Sequence, residues 1–262
     1  MSERNRSGQE MTFWEHFVEL SKRARTIIFA VVIATVAVAA LPINVDLSNP
    51  LATQTFITGI LKRIKIDLLP RGAELIAYDP LDPVWAYMTI SLIMGVIVSL
   101  PIIAYELYKF FNPALYPAER KFLYSFIISF VTLFTFGVVI AYYVVIPITF
   151  WVLWLQVFTG GVTLPLISIK EFITTVFWMC IATGVMFTIP IVFVLLVRQG
   201  IIKSDFLGKR RTLIYGGGLI VAMILTPDPT PITALIICVP LFVVLEIALV
   251  IARRYEKKRE QG

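Results

Sequence analysis

A chain of 262 residues that is 58% hydrophobic and 15% charged carries more apolar side chain than a soluble domain, which averages about 45–50% apolar and about 25% charged residues. The mean hydropathy is +0.86 and the apolar residues sit in long runs, so the excess faces lipid, and residues 1–262 read as one integral-membrane domain rather than two globular ones. The formal charge of +6 would raise nucleic acid for a soluble chain, but the cations here are confined to loops and ends, so no nucleic-acid partner is expected.

The N-terminal stretch carries Arg4 and Arg6, then an amphipathic piece, then apolar residues from Ile27. No small-residue cleavage site follows Ala40 and more spans come after it, which excludes a cleavable signal peptide. Glu3, Glu10, Glu15 and Glu19 exclude a transit peptide, which is poor in acids. A helix needs about 20 apolar residues to cross a bilayer core of about 30 Å. By that measure the chain predicts an all-α, polytopic fold with six spans at about 24–41, 83–107, 122–150, 171–197, 212–226 and 232–251.

The fifth span is short: thirteen residues at about 1.5 Å each reach only about 20 Å. The next span follows after Thr226-Pro227-Asp228-Pro229-Thr230-Pro231, whose prolines end one helix and open another. The last two spans therefore read as a short hairpin that does not fill the membrane. Assigned to alternate sides, eighteen Lys and Arg residues fall with the two termini and five on the opposite face. Positive residues stay inside, so both termini are expected in the cytoplasm, and the separation favours six spans over five.

Residues 42–82 form the extracytoplasmic loop. Within it, Phe56, Ile57, Ile60, Leu61, Ile64 and Leu68 recur at helical spacing with Lys62, Arg63 and Lys65 between them. That pattern predicts an amphipathic helix, either at the outer interface or as a packed cap over the bundle. No internal repeat supports a repeat-built transporter.

Signatures of enzyme chemistry are missing. There is no phosphate-binding Gly-rich loop and no His-Glu-x-x-His, and His16 is the single histidine, so no cofactor, metal site or enzymatic activity is expected. Cys180 and Cys238 read as apolar thiols in packed helices. Gly216-Gly217-Gly218 is expected to let helices approach closely, and Asp79 and Asp82 to serve a turn or a helix cap. Glu246 and Glu106 lie at membrane depth, where a carboxyl is either hydrogen-bonded between helices or tied to a proton or partner. Glu246 has no obvious partner in the sequence. On the basic inner face, Glu15, Glu19 and Glu119 either pair with neighbouring cations or offer carboxylates to a basic peptide, which arginine would engage through two parallel hydrogen bonds.

The segment His16-Phe17-Val18-Glu19-Leu20-Ser21-Lys22-Arg23 resembles the His-Leu-x-Glu-Leu-Arg-x-Arg start of the TatC family of the twin-arginine protein-export system. The stretch from Phe110 to Arg120, the segment Ala141-Tyr142-Tyr143-Val144-Val145-Ile146-Pro147, and Thr226-Pro227-Asp228 resemble further family segments, in order, over nearly the whole chain. The resemblance implies a cupped, concave bundle in a prokaryotic cell membrane that recognises the paired arginines of signal peptides on folded cargo. It carries recognition over to Glu19 and Glu119, supported by Arg23, Phe110 and Leu115. It also implies single-span TatA and possibly TatB partners near the last two helices, a homo-oligomeric translocon, and drive by the proton-motive force. Glu106, Thr188, Glu246 and Tyr142 are intramembrane polar positions with a partner or packing role, and Asp228 marks the extracytoplasmic turn. Two departures stand out: Ser21 replaces the first motif arginine, and Thr188 stands where the family often has Glu. A secondary transporter of a small solute is the alternative reading.

Overall fold

The computed structural model describes residues 13–44, 54–69, 73–111, 120–159, 166–205, 210–226 and 231–260. Helix α1 spans Phe13–Ala39, and the short strands β1 (Pro42–Asn44) and β2 (Gln54–Thr55) pair antiparallel behind it. Then come α2 (Phe56–Leu68), β3 (Glu74–Ile76) and α3 (Asp82–Phe111). Helix α4 (Arg120–Ile140) passes through a π-helical turn, Ala141–Val145, into α5 (Ile146–Thr159). Strand β4 (Leu166–Ser168) lies parallel to β3 and leads into α6 (Ile169–Arg198). Helices α7 (Arg211–Leu225) and α8 (Pro231–Glu260) close the fold.

Four described helical stretches are long and apolar enough to cross a membrane: Asp82–Phe110, Tyr124–Leu155, Ile169–Arg198 and Pro231–Lys257. Helix α7 is apolar but shorter, whereas α8, expected to be short as well, is long enough to cross, because its helix runs on from the apolar stretch to Glu260. Helix α1 has the length, yet Lys22, Arg23 and Arg25 leave it uniformly apolar only from Ile27 onward.

Local chemistry accounts for the boundaries. Thr55 caps α2 through a hydrogen bond from Thr58 N–H to its Oγ1, 3.4 Å, and Ser168 caps α6 by accepting from Glu171 N–H at 3.4 Å. Both follow the rule that a short hydroxyl side chain meets an otherwise orphaned first-turn donor. Asp82 is buried and accepts from the backbone N–H groups of Tyr78 and Asp79 at 3.1 and 3.2 Å, while Asp79 accepts from Leu81 N–H at 2.9 Å. This aspartate pair is turn and cap chemistry. The π-helical turn ends two residues before Pro147, whose ring nitrogen cannot donate and displaces the regular ladder. The helix then continues past Phe150 because Trp151, Val152, Leu153, Trp154 and Leu155 are apolar too.

The amphipathic helix α2 is a packed cap. Ile57, Ile64 and Leu68 are buried in one cluster with Ile90 of α3, Val145 and Ile146 at the π-turn, and Val176 of α6. A second cluster at the other end joins Leu100, Ala104 and Tyr108 of α3 to Phe126, Phe130 and Phe134 of α4 and Leu195 of α6. Cys180 and Cys238 are free and buried.

Close backbone approaches fall at single glycines. A Cβ on Gly95 of α3 would lie 2.8 Å from the Thr35 backbone nitrogen of α1, and one on Gly137 of α4 would lie 2.9 Å from the Thr183 carbonyl oxygen of α6. Gly184 meets the Phe134 ring in the same crossing, at 3.0 Å. The Gly216–Gly218 run does not act as expected from sequence. Nothing lies within 4 Å of a Cβ on Gly216 or Gly217, and Gly218 only meets Phe242 at 3.4 Å. The side of α7 carrying these glycines faces an open cleft rather than a neighbouring backbone.

Overpacking at a close crossing costs about 1–3 kcal/mol. Gly137→Val is therefore expected to lower the unfolding temperature in detergent, whereas Gly217→Ala is expected to leave it unchanged or raise it.

Candidate functional site

Helices α1 and α3 run antiparallel and are laced at three heights. Tyr87 Oη donates to the Ala39 carbonyl at 2.6 Å, Gly95 admits Thr35, and Arg23 reaches Glu106. The last of these builds the site. Arg23 Nε donates to Glu19 Oε1 at 3.0 Å, joined by Nη2 on the same oxygen, and Nη1 donates to Glu106 Oε2 at 3.2 Å. Glu19 and Arg23 meet because they are four residues apart on one helix face. Glu106 arrives from α3, one turn before Lys109, while Tyr108 two positions on turns into the aromatic core against Phe126, 5.5 Å between centroids.

The side chains of Arg23, Glu19 and Glu106 are only 17%, 18% and 14% exposed. An exposed pair contributes about 0–1 kcal/mol; in a group this withdrawn from water, removing one member strands the others. The three line a pocket of about 310 Å³ with Lys22, Thr26 and Lys109. Lys109 Nζ rests 4.5 Å from the centre of the Tyr105 ring, a cation–π contact that holds this cation to its own helix. Glu19 Oε2 is buried and has no hydrogen-bond partner among the described residues. The pocket thus holds a guanidinium seated between two carboxylates, with one Glu19 oxygen buried and without a hydrogen bond beside it.

Of the residues singled out from sequence, Glu19, Arg23 and Glu106 converge here. Phe110 is half-buried at the end of α3. Glu119, Leu115 and Asp228 lie outside the described residues. Thr188 is buried on α6, and its Oγ1 donates back to the Val185 carbonyl at 2.7 Å, so its hydroxyl is satisfied within its own helix. Tyr142, in the π-helical turn, donates to Asp67 Oδ2 of α2 at 2.9 Å, and Arg63 Nε donates to the same oxygen at 3.0 Å. Tyr142 is therefore a tether for the cap.

Glu246 is hydrogen-bonded between helices, one of the two readings open from sequence: the Tyr215 hydroxyl donates to its Oε1, and Arg211 Nη1 lies 3.3 Å from that oxygen. Tyr215 also packs on Phe242 with ring centres 4.5 Å apart. Arg211 and Tyr215 share a face of α7 by their four-residue spacing, which sequence shows. Their pairing with Glu246 of α8 becomes readable only once the two helices are folded as a hairpin. Lys22, Lys109 and Asp67 were likewise missed, because their sequence neighbours mark them as ordinary interfacial charges. Among the described residues no group of three or more His, Cys, Asp or Glu side chains is placed to hold a metal ion.

Comparison with known proteins gives a consistent answer. A family model described as Sec-independent protein translocase protein (TatC) matches residues 15–240. The TatC protein of Methanocella arvoryzae is 30% identical over 246 residues, covering 93% of this chain and 94% of that one. That of Escherichia coli K12 is 30% identical over 243 residues, covering 93% and 88%. Among solved structures, the crystal structure of the twin arginine translocase receptor TatC superimposes with a TM-score of 0.72 at 26% identity, covering 92% of this chain and 99% of that one.

Tyr215→Phe removes the hydroxyl that joins α7 to Glu246, a hydrogen bond to a charged group of about 1.5–3 kcal/mol. Faster hydrogen exchange across α7, with α3 and α6 unchanged, is the expected outcome.

Proposed function

The chain belongs to the TatC family, the Sec-independent protein translocase proteins, and from that premise we propose that the pocket between α1 and α3 receives the arginines of twin-arginine signal peptides. As a membrane-embedded translocase subunit it is a binding and assembly protein, not an enzyme. In this reading both termini and the Glu19–Glu106 end face the cytoplasm, α2 caps the outer side, and α1 and α7 join the four long apolar stretches to make six spans around a concave face. The membrane is the prokaryotic cell membrane. TatA, with or without TatB, docks at the last two helices, several copies share one translocon, and the proton-motive force drives transport.

One observation carries the reading: the Glu19 carboxylate and Glu106 already coordinate a guanidinium, that of Arg23, in a pocket largely shielded from water. A site shaped to hold one arginine side chain with paired and single hydrogen bonds has the chemistry to hold another. The unpartnered Glu19 Oε2 supplies the first acceptor. Glu119, on the adjoining loop, is proposed to supply the second, with Phe110 and Leu115 flanking the peptide backbone. Lysine, a point charge without the planar fork, fits such a site poorly. Glu106 adds a second carboxylate to a pocket that also carries Lys22, Arg23 and Lys109.

The test is binding of a synthetic twin-arginine signal peptide to the detergent-purified chain, wild type against Glu19→Ala plus Glu119→Ala. Each charge-assisted contact contributes about 1.5–3 kcal/mol, so the double variant is expected to bind more than about tenfold more weakly. A Lys-Lys peptide is expected to fail on wild type. Equal binding of Arg-Arg and Lys-Lys peptides, or an unaffected double variant, would overturn the assignment.

A further inference from the structure

From Ile232 to Ile251 helix α8 holds twenty residues, apolar except for Thr233, Pro240 and Glu246. At about 1.5 Å per residue they cover about 30 Å, the thickness of a bilayer core. The helix does not stop there but runs on to Glu260. Arg253, Arg254 and Lys257 lie about 3–9 Å beyond Ile251, at the depth of a headgroup layer about 5–8 Å thick on each side. One face of this extension is held by the protein. Ala248, Leu249 and Ala252 are buried against Val194 and Val197 of α6. One turn on, Glu256 accepts from Ser204 N–H at 3.0 Å, and the Arg198 guanidinium lies 5.7 Å from the centre of the Tyr255 ring. On the other face Val239, Val243, Ile247 and Val250 are 48–62% exposed, and their three- and four-residue rhythm continues into Arg254 and Lys257, which are exposed together with Arg253. An apolar, outward stripe therefore runs without a break into three cations. Among the described residues none of the three makes an ion pair.

We propose that this end of α8 binds the phosphate of anionic phospholipids, with Arg253, Arg254 and Lys257 as donors and the acyl chains lying along Val243, Ile247 and Val250. The inference goes beyond arginine recognition and rests only on α8 crossing a membrane. Charge selects the occupant once every charged group packed around this end is counted. Helix α6 and the segment after it contribute Arg198, Lys203 and Asp205, and α7 with its N-cap contributes Arg210 and Arg211. Helix α8 itself contributes Glu246, Glu256 and the three cations, and the π-helical turn adds none. Among these described residues seven cations face three acids. Glu246 is committed to Tyr215 and Arg211, and Glu256 to Ser204, which leaves Asp205 as the exposed acid. Guanidinium and ammonium groups at headgroup depth favour anionic lipid, and the planar fork of arginine matches two phosphate oxygens. An acidic peptide would match the cations but not the apolar stripe below them. A phospholipid matches both in one molecule. The Glu256–Ser204 bond positions this surface: it turns the acid of the run inward and so keeps the cations on the outward face.

The experiment uses the full chain in nanodiscs of phosphatidylcholine with a minor fraction of phosphatidylglycerol. Ile251→Cys carries a fluorophore, Cys180 and Cys238 being buried, and quenching by brominated phosphatidylglycerol is compared with quenching by brominated phosphatidylcholine. Phosphatidylglycerol is expected to be enriched beside the label by about tenfold or more over its bulk fraction. Arg253→Gln with Arg254→Gln and Lys257→Gln is expected to abolish the enrichment, and Arg253→Lys with Arg254→Lys to keep most of it. Glu256→Ala is expected to lower it although the net charge rises, because the cations lose their fixed placement. Equal quenching by the two lipids, or enrichment that survives the glutamine variant, would overturn the inference. Enrichment that rises in Glu256→Ala would reduce the effect to net charge and overturn the positioned surface. Binding of a polyglutamate peptide through the same three cations, without lipid enrichment, would assign the surface to an acidic protein segment and overturn it too. The preference for Arg-Arg over Lys-Lys peptides is expected to be the same in every variant, so the two readings fail separately.

Discussion

Helices whose outward faces are as apolar as their inward ones gain nothing from leaving lipid to touch each other, because lipid tails are as apolar as leucine. That constraint governs this fold. Exposed Ile28, Ile33, Val36, Val98, Ile128, Trp178 and Val243 would be faults in a soluble protein and are lipid-facing surface here. What must hold the bundle together is close packing at sites without a Cβ, and polar groups that find partners on another helix. The structure places both sparingly. Gly95 opposes Thr35, and Gly137 and Gly184 open the α4–α6 crossing.

The polar joints tie elements that packing alone would leave loose. Tyr87 holds the far end of α1 to α3, Arg23 holds the near end to Glu106, Asp67 binds the cap helix to Tyr142, and Glu246 binds α7 to α8. In each case the hydrogen bond joins groups 31 to 83 residues apart in sequence. Three of the four involve an ionised side chain, whose hydrogen bonds are roughly twice as strong as neutral ones. The α7–α8 joint matters because α7 is short and has an open, glycine-lined side toward α6. A helix with so little packing depends on its few polar contacts.

The helices were legible from sequence because their apolar runs are long and their breaks carry proline, and the α2 cap showed as a clear 3.6-residue rhythm with lysines between. Sequence singled out Glu19 and Glu119, because an acid on a basic, membrane-bounded face is unusual, and Glu106 separately as an acid at membrane depth; Glu106 joins Glu19 in the pocket, while Glu119 lies outside the described residues. Sequence could not show that Arg23 joins Glu19 to Glu106, because a guanidinium with a carboxylate four residues away looks fully accounted for on its own helix. Nor could it locate the tight crossings. Three consecutive glycines draw the eye, yet single glycines at 95, 137 and 184 make the contacts, because close approach depends on which face meets a neighbour, and that is set by the pairing of helices far apart in the chain. The same reason hid the partner of Glu246.

Arg23 also constrains how an incoming arginine can be held. Taking Arg23 out of its place between Glu19 and Glu106 would leave a guanidinium with few alternatives in a shielded pocket, and breaking a buried pair costs about 3–5 kcal/mol. That exceeds the about 1.5–3 kcal/mol that one new charge-assisted hydrogen bond returns, so displacement is a losing exchange. Sharing is not. Arg23 uses Glu19 Oε1 and leaves the buried Oε2 without a hydrogen bond, so on the proposed reading a second guanidinium that reaches it adds to the same carboxylate while the first remains. Under sharing, Glu106 serves a distinct purpose. It keeps Arg23 partly neutralised when Glu19 is divided between two cations, which lowers the repulsion between the resident arginine and the arriving one. On the proposed reading the pocket works as a preorganised frame that an arginine completes, and α1 need not leave α3 for that arginine to bind.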